Sequence, residues 1–122
     1  MNKLDQAEVL KARTKQFAIR IVNVVRSLPT TREGNVLGNQ LLRCGTAVAA
    51  NYRAVCRSRS KAEFISRMSI VVEEADETVF WMELLADTAV VKRERLSDLQ
   101  REANEILAIC AASLRTAKQN RG

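Results

Sequence analysis

The chain contains no histidine. Its absence removes the commonest general base and proton relay, and leaves any Ser or Cys nucleophile without its usual activating partner. It also removes a common metal ligand. Helical bundles that hold two metal ions use Glu-x-x-His pairs, which this chain cannot form. Neither GxxxxGK[ST] nor GxGxxG occurs, so the familiar phosphate-cradling loops are missing too. These absences predict a protein that is not an enzyme, with no cofactor and no metal site.

Proline occurs once, at Pro29, and glycine four times. Few turn formers favour long helices over many short strands. Aromatic residues are scarce (three Phe, one Trp, one Tyr), so the core must be built from Leu, Val, Ile and Ala. The cysteines, Cys44, Cys56 and Cys110, are odd in number and widely spaced. They read as reduced, buried thiols rather than a disulfide framework. Long apolar runs are absent: "AIRIVNVV" is broken by Arg20 and Asn23, and "VFWMELLA" by Glu83. Neither approaches the ~20 residues of a bilayer span, and "MNKLDQAEVLKARTK" has no apolar leader segment. The expectation is a cytoplasmic protein with no membrane contact.

What is present is charge. The formal net charge is +6, unevenly spread. Residues 1–61 carry 12 basic and 3 acidic groups; residues 62–122 carry 8 and 11. A basic half and an acidic half predict a polarised surface, suited to a polyanion or an acidic partner.

Apolar periodicity predicts four helices within one domain over residues 1–122. The first runs from about Leu4 to Leu28, with Leu10, Thr14, Phe17, Ile21, Val24 and Leu28 on one face. Pro29 stops it. Thr30 and Glu33 suggest a capped short turn, and a second helix follows from about Val36 to Arg57 with Leu41, Cys44, Val48 and Val55 inward. Asn51, among small apolar residues, is expected to be a hydrogen-bonded core amide. Ser60 and Glu63 form a capping box that opens a third helix to about Asp87. Phe64, Met68, Val71, Ala75, Thr78, Met82 and Leu85 line its inner face. A fourth helix starts between Lys92 and Ser97, faces inward through Leu96, Leu99, Ala103, Ile106, Cys110, Ser113 and Ala117, and frays in "KQNRG". The fold class is all-α, an antiparallel up-down-up-down four-helix bundle.

Three groups of residues are candidates for function. With the turn before the third helix near residues 58–60, antiparallel register sets Arg43 beside Glu74 and Glu77, predicting a polar pair between helices. Residues 79–86 are apolar almost all round, so Phe80, Trp81 and Leu84 are candidates for an oligomer interface. The basic candidates are Arg13, Lys15 and Arg20 on the first helix, with Arg53, Arg57, Arg59 and Lys61 around the second turn. Tyr52 is the one ring there available for stacking. Sparse aromatics argue against a base-stacking platform and for a grip on phosphates.

The segment "GNQLLRCGTAVAANYRAVCRSRSKAEFISRMSIVVEEADET" resembles the four-helix-bundle family named for the 23S rRNA intervening sequence protein. The likeness rests on Pro29, Gly38, Gln40, Leu41, Asn51, Arg59, Ser60, Glu63, Phe64 and Glu77. The resemblance implies a non-enzymatic bundle. Some members are similar to accessory proteins of diversity-generating retroelements, which form pentameric rings with a basic surface and work with a reverse transcriptase and nucleic acid. The implied partners are therefore a second copy of itself in a homopentamer, RNA or DNA, and a reverse transcriptase or other nucleoprotein. Many members follow the Asn with Ile-Ala-Glu-Gly. This chain has Tyr52, Arg53, Ala54 and Val55 there, so the acid–glycine step is lost and a base is gained. The alternative reading is a protein-interaction scaffold or accessory subunit with no direct nucleic-acid role.

Overall fold

The computed structural model describes residues 2–120. Four helices account for most of them: α1 (Lys3–Arg26), α2 (Arg32–Val55), α3 (Lys61–Asp87) and α4 (Arg93–Gln119). Each connection is five residues long, so successive helices fold back as antiparallel neighbours. α1 packs on α2, α2 on α3 and α3 on α4, whereas α1 and α4 barely approach. The bundle therefore has one open seam. Its core joins Phe17, Ile21, Leu41, Val48, Met68, Met82, Leu85, Leu96 and Ile106, all nearly inaccessible.

Local chemistry explains the helix ends. α1 stops at Arg26, two residues before the expected Leu28, because Pro29 lacks an N–H and restrains the residue before it. The chain tightens there through Ser27 N–H to Val24 O (3.0 Å) and Leu28 N–H to Val25 O (3.2 Å). α2 begins four residues earlier than expected. Thr31, not Thr30, is the cap: its Oγ1 accepts the Gly34 N–H at 3.0 Å. Gly34 is thus helical rather than part of the link, and a Cβ there would come within 2.2 Å of the Pro29 carbonyl oxygen. Gly45 does the same job deeper in the α1–α2 contact, where an added Cβ would lie 2.9 Å from two carbons of Ile21.

Ser60 caps α3 as expected, accepting the Glu63 N–H at 3.1 Å. The return arm of the box differs: the Glu63 carboxylate takes the N–H of Arg59, not of Ser60, at 3.1 Å. α3 ends in a paired-bond turn, with Ala89 N–H to Ala86 O and Val90 N–H to Leu85 O, both 3.0 Å. The left-handed position of that turn is Ala89, at φ 60°, where glycine is the unstrained residue. Of the tail expected to fray, Lys118 and Gln119 are helical, and Arg121 and Gly122 lie outside the described residues.

Buried threonines keep their hydroxyls bonded within their own helices: Thr14 donates to Lys11 O at 3.0 Å and Thr78 to Glu74 O at 2.7 Å. Asn51 is only half-buried, and its amide donates to Ala47 O at 2.8 Å. It is a self-bonded helix residue rather than the expected core amide.

Candidate nucleic-acid interface

The last turns of α2 carry Ala50, Arg53 and Ala54, and Arg57 follows just past the helix end, exposed like Arg53. The turn at residues 56–60 brings the chain back through Arg59, and the second turn of α3 adds Arg67. These six residues enclose an open surface depression of about 360 Å³. Its lining holds four arginines, no acid and no aromatic ring. The two alanines leave room that longer side chains would fill.

Arg67 is the anchored member. Its Nη1 donates to the Ala54 carbonyl at 2.7 Å, in the last turn of α2, where helical acceptors run out of partners. Its Nη2 meets Glu63 Oε1 at 2.5 Å. Glu63 also lies 3.9 Å from Arg59 Nε, a long contact by a side chain that is 89% exposed. Arg53 and Arg57 have no ion-pair partner among the described residues. Of the four guanidiniums, only Arg59 and Arg67 meet a carboxylate, and it is the same one, Glu63. The sequence reading missed Arg67. Its signal was the spacing from Glu63, one helical turn ahead, which fixes Arg67 on the flank of α3 that meets the end of α2.

The other basic candidates are dispersed. Arg13 belongs to the open seam: Nε donates to Glu102 Oε2 at 2.8 Å, and Nη2 to Glu102 Oε1 at 2.6 Å and Glu105 Oε2 at 2.8 Å. The hydrogen bond from Arg13 holds the Glu102 carboxyl below its ordinary range, against the opposing effect of burial, and Arg20 adds to the lowering. Arg13 is thus paired with α4 across the seam. Arg20, acting on the same carboxylate, lies on the α4 side of α1, away from the depression. Lys15 is exposed on α1. Lys61 reaches the carbonyl of Asn120 at 2.6 Å, at the negative end of α4.

Tyr52 does not face the depression. It is buried in the core, where loss of solvent raises its hydroxyl pKa. Cys56, expected among the buried thiols, is exposed at the end of α2, one residue past the last inward position, Val55. Cys44 and Cys110 are buried, and burial pushes the Cys110 thiol up to about 11.

Arg43 bridges α2 and α3, with Nη1 3.3 Å from Glu74 Oε2 and Nη2 2.7 Å from Glu77 Oε2. The arginine is half-exposed, so the bridge sets register more than it adds stability. Farther along α3, Phe80 is 51% exposed and stands edge-on to Trp81, ring centres 5.0 Å apart. Trp81 and Leu84 are half-buried, and the Trp81 Nε1–H is sealed with no acceptor among the described residues. Ile70, also on the outer face of α3, is exposed, as are Glu73, Asp76, Glu83 and Asp87. The outer face of α3 is therefore acidic with an apolar patch. Among the described residues no cluster is suited to a metal ion, and no helix is long and apolar enough to cross a membrane.

A family model described as the 23S rRNA-intervening sequence protein matches residues 7–112. Among solved structures, the chain is similar to a protein of unknown function from the S23 ribosomal protein family of Bacteroides thetaiotaomicron. The two share 33% identity over 89% of this chain and 97% of that one, with a TM-score of 0.82. No curated protein matches the chain.

Proposed function

The chain belongs to the 23S rRNA-intervening sequence protein family, and from that premise we propose that it is a non-enzymatic, homo-oligomeric bundle that binds RNA or DNA through a basic surface. One observation carries the reading: four arginines converge on a depression whose lining has no acid. The lack of an aromatic ring there favours contact with phosphate over stacking on bases. Binding of this kind is independent of sequence and sensitive to salt. Titrating generic RNA and DNA at increasing salt tests it. The logarithm of the affinity falls linearly with log salt if phosphates are the target, with a slope of about −0.7 to −0.9 per phosphate engaged. Affinity that is weak at low salt, or insensitive to salt, contradicts it.

The homo-oligomer reading is supported by the outer face of α3. Phe80 and Ile70 are exposed there, apolar side chains that a second copy would cover. A pentamer is the assembly the family resemblance implies. The second reading, an accessory subunit that meets a reverse transcriptase or other nucleoprotein without touching nucleic acid, draws on that same face.

A further inference from the structure

We infer that the four-arginine depression takes the terminal phosphate of a nucleic-acid strand, a phosphomonoester, in preference to the phosphodiesters along it. The inference rests on the nucleic-acid reading above and sharpens it from a surface to a chemical group.

Shape comes first. A track along a strand needs positive charge spread in a line. Several of the other basic groups are engaged. Arg13 is bound to Glu102 and Glu105, Arg43 to Glu74 and Glu77, and Lys61 to the Asn120 carbonyl. Four guanidiniums instead line one open surface depression of about 360 Å³. Such a space admits the end of a strand.

Charge points the same way. A phosphomonoester carries about −1.5 to −2 at neutral pH, and offers three acceptor oxygens. A diester carries a single charge and has two oxygens free of ester bonds. Arg53, Arg57 and Arg59 supply planar, bidentate donors suited to the monoester. Arg67 borders the site already held by the Ala54 carbonyl and by Glu63, which offsets part of its charge. With no ring in the lining, base identity is not read, and the recognised element is the phosphoryl group itself.

The test compares one short oligonucleotide in four forms: 5′-phosphorylated, 3′-phosphorylated, hydroxyl at both ends, and circular. AMP serves as a strand-free phosphomonoester. The measurement is fluorescence anisotropy competition at fixed salt. A phosphorylated end is expected to bind about tenfold tighter than the hydroxyl form, the order of one added charge-assisted hydrogen bond. The advantage should vanish in Arg57→Ala, an exposed site, and in Arg67→Ala, with circular dichroism confirming the fold of each. Equal affinity for all four strands overturns the end preference and leaves the nucleic-acid reading standing. AMP binding as tightly as the phosphorylated strand overturns a strand end as the ligand. Failure of every strand to bind overturns both.

Discussion

At the scale of single residues, periodicity identified inward positions and was silent on partners. Leu10, Thr14, Phe17 and Ile21 are buried as their spacing requires. Tyr52 and Cys56 were misread for opposite reasons. Tyr52 lies one helical turn from Val48 and joins the inner face, whereas Cys56 falls just past the end of it. Arg13 could not be assigned from α1 alone, because its carboxylates are 89 and 92 residues away. Two predictions belong here. Ala89→Gly relieves a left-handed backbone at φ 60° and should raise stability by about 1 kcal/mol in thermal unfolding. An unchanged or lower midpoint contradicts the strain assigned to that turn. Gly45→Ala forces a Cβ to within 2.9 Å of Ile21 and should cost about 1–3 kcal/mol, read from the urea midpoint.

At the scale of elements, the number and order of helices were legible because each keeps its apolar face over six or seven turns. Boundaries were legible where a cap was unambiguous. Ser60 opened α3 as expected, whereas Thr30 with Glu33 suggests a separate short turn and a helix start near Val36. Thr31 instead takes the Gly34 N–H and opens α2 at Arg32. Ser60→Ala should destabilise by about 1 kcal/mol. The open α1–α4 seam was not legible, since no local pattern reports which helices stay apart. It gives a pH prediction. Glu102 has a lowered folded pKa, chiefly from its Arg13 hydrogen bond. Its contribution is present above the ordinary carboxyl value of 4.5 and is lost as pH falls toward the folded value. Urea unfolding between pH 3 and 7 should therefore show a shallower acid loss in Glu102→Gln than in the wild type. Identical pH profiles would show that the seam pair adds nothing.

At the scale of the whole molecule, the bundle sorts its charge. The imbalance between chain halves was plain in the sequence, but its concentration at one corner depends on Arg67 crossing from α3 to the end of α2. The apolar run 79–86 divides on folding: Met82, Leu85 and Ala86 turn inward, while Phe80 stays half-exposed. Phe80→Glu should reduce the mass seen by light scattering to that of one chain if the outer face of α3 joins copies. A wild-type monomer would remove that interface. The central claim, that the arginine corner grips phosphate, is tested most directly by comparing salt slopes for generic RNA between the wild type and a combined Arg53→Ala, Arg57→Ala, Arg59→Ala variant. The slope should shrink by about 0.7–0.9 for each phosphate no longer held, with weaker binding at every salt concentration. Unchanged affinity and slope would make the corner no more than a solvated helix end.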